Sequence, residues 1–156
     1  MLHEYNMNDE PFMHRALLEA KKAYLKGEVP VGAVLTLDGQ VIARAHNRRE
    51  ELQDPTAHAE MLAIREASAK LRSWRLVGAT LYVTLEPCSM CAGALVLARV
   101  TRLVYGAPDP KSGAVGSIMN LAEHEALNHR VAVTGGILQD ECSAILKQFF
   151  SELRDD

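Results

Sequence analysis

Ala79-Thr80-Leu81-Tyr82-Val83-Thr84-Leu85, Glu86-Pro87, Cys88-Ser89-Met90-Cys91-Ala92-Gly93-Ala94-Leu95-Val96-Leu97-Ala98-Arg99 and Val100-Thr101-Arg102-Leu103-Val104-Tyr105 follow one another with no linker between them. The first piece alternates like a strand, and Pro87 ends it. Cys88 to Arg99 reads as a short apolar helix, and Val100 to Tyr105 as a second strand. Strand, helix and strand in immediate succession imply a right-handed crossover joining two parallel neighbours. Upstream, Ala57 to Leu71 reads as a helix with Thr56 as its N-cap. Asn47 to Thr56 reads as a loop. Val31 to Leu37 and Val41 to His46 are strands joined by Asp38-Gly39, a tight-hairpin signal. Pro11 to Lys26 is an amphipathic helix, with Asn8 or Asp9 as its cap and Gly27 as its stop. Downstream, residues 106 to about 130 are irregular, Val131 to Thr134 is a short strand, and Asp140 to Leu153 is a helix. The pattern predicts an α/β fold, a three-layer α/β/α sandwich around a mixed five-stranded sheet, with 1–156 as a single domain.

Composition agrees. Of 156 residues, 48% are hydrophobic and 24% charged, the balance of a globular protein rather than a disordered one. A chain of this size buries enough surface to fold without disulfides. The formal charge of −3 speaks against bulk electrostatic binding to nucleic acid. It is unevenly spread, however. From Arg65 to Lys111 seven basic residues face three acidic ones, so that stretch carries +4 and the rest −7. We find no secretion signal and no apolar run of membrane-spanning length, so the expectation is a cytoplasmic protein with no membrane partner.

Two short segments carry the chemistry: Asp54-Pro55-Thr56-Ala57-His58-Ala59-Glu60 and Thr84-Leu85-Glu86-Pro87-Cys88-Ser89-Met90-Cys91. Cysteines three apart on a helix share a face, so both sulfurs reach one ion. A helix start favours thiolate over thiol. His58 adds a nitrogen ligand, and two thiolates balance the charge of Zn²⁺. Three protein ligands leave a fourth position open, the pattern of catalytic rather than structural zinc. Cys142 sits among apolar neighbours without ligand spacing and reads as a small buried hydrophobe. His3, His14, His46, His124 and His129 also lack partners at ligand spacing. Glu60, two residues from His58, is placed to carry protons for water activated by the metal. A thioredoxin-like redox pair is the alternative for Cys88 and Cys91, but it leaves His58 and Glu60 unexplained.

The combination His-x-Glu with Pro-Cys-x-x-Cys resembles the zinc nucleobase deaminases of the cytidine deaminase-like superfamily. The likeness runs on through Glu28 to Val34, His46 to Glu50, Tyr105 to Ser117, Asn128 to Val131 and Phe149-Phe150. In these segments the chain resembles the bacterial tRNA-specific adenosine deaminases. That resemblance implies a hydrolase of tRNA processing, which edits the wobble adenosine of an anticodon to inosine and releases ammonia. It implies one Zn²⁺ per subunit, on His58, Cys88 and Cys91, with Glu60 catalytic. It implies that Asn47 and the backbone N–H of Ala59 hold the purine and that Val31 walls it. Asp109 and Lys111 would contact flanking nucleotides, and Phe149 would shape the RNA groove. The anticodon stem-loop of tRNA is the implied partner, and a homodimer the implied assembly. Pro110, between Asp109 and Lys111, departs from the family pattern and bears on the shape of that loop. The rivals are a deaminase of free bases or nucleosides, a non-catalytic zinc module, and a tRNA-binding subunit that needs another catalytic chain.

Overall fold

The computed structural model describes residues 9–154. Five strands form one sheet: β1 (Gly32–Leu37), β2 (Gln40–His46), β3 (Thr80–Leu85), β4 (Arg102–Ala107) and β5 (Ala132–Gly135). Their order is β2-β1-β3-β4-β5. β1 pairs antiparallel with β2 and β3, while β3, β4 and β5 run parallel. The sheet is therefore mixed, as the strand–helix–strand stretch implies. Asp38 and Gly39 both take positive φ at the hairpin tip, the conformation of a two-residue turn that pairs Leu37 with Gln40; the register shifts once, between Leu35 and Thr36.

The central strands are apolar on both sides because both sides are covered. Ala33, Leu35, Leu81, Val83 and Leu103 face one way and pack with α3 (Ala59–Leu71) and α4 (Ser89–Leu97). Val34, Tyr82 and Val104 face the other, against Met13, Ala16 and Leu17 of α1 (Asp9–Leu25) and Cys142 of α5 (Gln139–Arg154). Cys142 is buried, as a free thiol inside a core should be, and burial pushes it up to about 12.

Several sequence expectations need correction. Thr56 is not the cap of α3. Its N–H and hydroxyl both bond Asp54 Oδ1, at 2.8 and 2.7 Å, in a turn that delays the helix to Ala59 and leaves His58 at the N-cap. The Asn47–Thr56 loop contains a helical turn, α2 (Arg49–Leu52), which the sequence reading lacks. Its start is capped by Glu28, whose carboxylate accepts from the N–H groups of Glu50 (3.0 Å) and Glu51 (2.6 Å). Asp9 opens α1 as part of a buried cluster: Arg102 grips it twice (2.8 and 2.7 Å) and the Tyr82 hydroxyl donates to it at 3.0 Å. Arg102 is thus tied up inside the fold rather than a solvated charge. Asn8 lies outside the described residues. Neither Phe149 nor Phe150 is buried.

Candidate metal centre and active site

The first turns of α3 and α4 meet where β3 ends. His58 and Cys88 occupy the N-cap positions, with extended backbones (ψ 152° and 178°) and no side-chain capping bond. The side chains that would normally serve the helix are therefore available as ligands. Cys88 Sγ and Cys91 Sγ lie 3.7 and 3.6 Å from His58 Nδ1. A tetrahedral ion with bonds of about 2.3 Å to sulfur and about 2.0–2.1 Å to nitrogen needs a separation of about 3.6 Å. Both sulfurs thus stand at the distance from the histidine nitrogen that such a metal requires, and all three donor atoms lie within 4.8 Å of one another. Among the described residues they are the one group of this kind, and no fourth protein donor joins them.

The electrostatics match. Without metal, a hydrogen bond from Cys91 stabilises the Cys88 thiolate, with help from His58, and brings it down to about 4 against the opposing effect of burial. The Cys91 thiol is raised, by that same hydrogen bond first and by burial second. The bond to Cys88 raises His58. Two helix starts pointing at this spot favour the negative sulfur. Glu60, in the first turn of α3, is 4% exposed, and burial pushes its carboxyl up to about 7. A carboxyl near neutrality that is not a ligand suits proton transfer in both directions.

The centre forms the floor of a cavity of about 920 Å³. Val31 and Asn47 line its inner wall, and Ala59 lies beside His58 on the floor. The Asn47 amide donates to the carbonyl of Val29 at 3.1 Å, and its oxygen accepts the Arg49 N–H at 3.1 Å. That leaves one N–H and one lone pair of the amide unused by those bonds. Asp109 and Lys111 line the outer wall. Asp109 accepts from the N–H groups of Lys111 (3.1 Å) and Ser112 (3.3 Å) and from the Ser112 hydroxyl (2.9 Å). Pro110 heads this turn, where a missing N–H is harmless and a fixed φ suits the geometry.

Of the two phenylalanines, Phe150 lines the cavity and Phe149 does not. Adjacent helical residues point about 100° apart, and Phe149 turns instead to the Tyr24 ring, 6.1 Å away. The sequence reading also missed Arg49, Lys147 and Arg154, which line the mouth. On α5 the signal is present: Leu146, Lys147, Phe150 and Arg154 recur at helical spacing on the helix already expected at the RNA groove.

A family model described as MafB19-like deaminase matches residues 7–154. A tRNA-specific adenosine deaminase of Bacillus subtilis (strain 168) is 59% identical over 146 residues, covering 94% of this chain and 91% of that protein. The chain belongs to the tRNA-specific adenosine deaminases. A solved structure from a study of A-to-I editing by tRNA:A34 deaminases has a TM-score of 0.84 at 52% identity, covering 87% of this chain and 99% of that one. The guanine deaminase of Nitrosomonas europaea has nearly the same fold, with a TM-score of 0.79 over 91% of this chain and 84% of that one. Its identity is only 26%. The three-layer scaffold is thus shared with a free-base enzyme, whereas the close sequence likeness is to the tRNA deaminases.

Proposed function

We propose that this chain deaminates the adenosine at wobble position 34 of a tRNA anticodon to inosine, consuming water and releasing ammonia. One Zn²⁺ per subunit is held by His58, Cys88 and Cys91. The observation that carries the reading is the cluster of His58, Cys88 and Cys91, with both sulfurs 3.6–3.7 Å from His58 Nδ1, beside a buried, non-ligand Glu60, under a cavity with a basic mouth. When bound, the metal supplies a Lewis acid that makes water a nucleophile at neutral pH. Glu60 takes one proton from the attacking water and delivers it to purine N1; it then takes the remaining proton from the new C6 hydroxyl and passes it to the amine, which leaves as ammonia while the C6 carbonyl forms. Asn47 offers its remaining N–H and lone pair to the purine. Ala59, as the first residue of α3, has an N–H without an intrahelical acceptor and available to the base. Val31 walls the ring, so that attack is effectively intramolecular.

Recognition of the RNA falls to the outer wall. Asp109 and Lys111 sit where nucleotides flanking the target would pass. Arg49, Lys147 and Arg154 supply phosphate contacts. Phe150 offers a stacking face, and Phe149 backs it, ring centroids 5.3 Å apart and 79° between planes. A chain of net charge −3 with few such cations implies a small footprint. Its salt slope is then modest, about −0.7 per single-strand phosphate.

A homodimer is part of the reading. α4 has no charged residue, and Met90, Gly93, Ala94 and Leu97 form an unpartnered stripe along it, with Leu97 71% exposed. A cytoplasmic location accords with a tRNA substrate; among the described residues no helix is long and apolar enough to cross a membrane.

The test is incubation of the purified protein with bulk tRNA, followed by sequencing for adenosine-to-inosine changes. An anticodon stem-loop should be turned over and free adenosine, guanine and cytidine should not. Faster turnover of a free compound would move the chain to the free-base branch of the fold.

A further inference from the structure

Two residues separate the end of β3 from Cys88, and one of them is Glu86. It is 2% exposed, and it does not ligate the metal. Its carboxylate gathers the loop that follows β4. Oε1 accepts the Asp109 N–H at 2.9 Å and the Ser117 hydroxyl. Oε2 accepts the N–H groups of Ser117 at 3.0 Å and Val115 at 3.2 Å. The backbones are stitched alongside, Glu86 N–H to the Ala107 carbonyl and Ala114 N–H to the Pro87 carbonyl, each at 2.8 Å. Gly113 completes the fit, because a Cβ there would stand 2.3 Å from the Glu86 carboxyl carbon.

Regular secondary structure does little to shape this loop; it is held by buried Ala114, Val115, Ala122 and Val131, by backbone turns, and by Glu86 at the end nearest the metal centre. From Pro108 to Val131 it forms no helix or strand and only one isolated bridge, Val115 to Asn120. A buried carboxylate is costly unless its oxygens are satisfied, and here the donors all come from this loop. One end of the Glu86 linkage is thus the turn that presents Cys88. The other is the segment that presents Asp109 and Lys111 to the cavity.

The geometry points to Glu86 as a positioning residue that fixes the RNA-facing loop relative to the metal centre, and so sets how tightly the flanking nucleotides are gripped. The inference rests on the reading that this loop contacts RNA. Glu86 stands in the cavity wall, but the hydrogen bonds of its carboxylate all go to the loop and it is not among the metal donors. Its removal should therefore weaken RNA binding far more than the chemical step.

The experiment compares wild type with Glu86→Gln, Ser117→Ala and Gly113→Ala, all as zinc-loaded full chains on an anticodon stem-loop. Glu86→Gln keeps the shape but turns an amide N–H₂ toward N–H donors. It should retain one zinc per chain and raise KM about tenfold, the size of one charge-assisted hydrogen bond. At saturating RNA, kcat should stay within about threefold of wild type, since an interaction made equally in ground and transition states moves KM alone. Gly113→Ala, which crowds the same carboxylate from the loop side, should raise KM similarly. The double variant should add little to either single one, because both break the same contact. Ser117→Ala, losing one donor of four, should show a smaller rise.

A fall in kcat at unchanged KM would overturn the inference. So would loss of zinc in Glu86→Gln, which would make it a support of the metal turn instead. If Glu86→Gln does not fold, unchanged KM in both Ser117→Ala and Gly113→Ala overturns it equally. A wild type inactive on the stem-loop would sink the functional reading itself, whereas an active wild type with unaltered variant KM sinks only the role of Glu86.

Discussion

The floor and the rim of the cavity are built in opposite ways. The floor consists of two helix starts with four candidate catalytic side chains, His58, Glu60, Cys88 and Cys91, supplied by two segments of three and four residues. Cys91 and Glu60 are buried, and the trio of metal donors is close enough to act as one unit. The rim draws residues from α2, the post-β4 loop and α5, spread from Arg49 to Arg154, and its cations are exposed. Short-range geometry makes the floor all-or-none. A scattered, solvated rim makes recognition graded. A guanine deaminase shares the fold at 26% identity, and one scaffold can host sites for different substrates.

The largest effect that sharpens this contrast is at the metal. Cys91→Ala removes one of three protein donors from a buried site. Metal analysis should find the zinc gone, and activity on the stem-loop should fall to background. Chelation of the wild type should do the same, reversibly on adding Zn²⁺. Activity surviving with zinc absent would break the floor-as-unit argument. Next is Glu60→Ala, which leaves the ligand set intact. Zinc content should be unchanged while kcat drops by about 10²–10⁴-fold, the usual worth of a positioned proton carrier. A variant that loses the metal as well would make Glu60 a support of the centre rather than a proton carrier.

The same contrast explains how much could be read in advance. The floor was legible because its ligands lie at short, fixed separations, and helical spacing turns such separations into shared faces. The sheet was legible because strands buried on both sides read as apolar runs and Asp38-Gly39 marks its hairpin. What stayed hidden depends on partners distant in sequence. α2 owes its cap to Glu28, 22 residues before Glu50. Asp9 looked like a helix cap because Arg102, 93 residues away, is invisible to local pattern. Thr56 misled for the opposite reason: Asp54 claims its hydroxyl locally, and one turn competed with another. Phe149 and Phe150 look alike in sequence, and only the rotation of α5 decides which faces the cavity.

Asn47 joins floor and rim, and its replacement should fall between them. Asn47→Ala removes the amide proposed to hold the purine. It also leaves the Val29 carbonyl and the Arg49 N–H without their partner. We expect kcat/KM to fall by about 10–100-fold, the loss of one or two hydrogen bonds in a desolvated site. Zinc should be retained. An effect as large as that of Glu60→Ala would place Asn47 within the all-or-none unit instead.

The smallest effect tests the rim. Lys147 lines the mouth from α5, is exposed, and makes no contact with the metal donors. A phosphate contact there is electrostatic and indifferent to base identity. Lys147→Ala should therefore weaken stem-loop binding only a few-fold, and by the same factor for RNAs that differ beside the target. The slope of log affinity against log salt should become shallower by about 0.7, the share of one phosphate on a single strand. Because that share is lost by screening, the difference between variant and wild type should narrow as salt rises. A variant that changes which flanking bases are preferred, without altering the slope, would mean that Lys147 reads bases and that the rim is as specific as the floor.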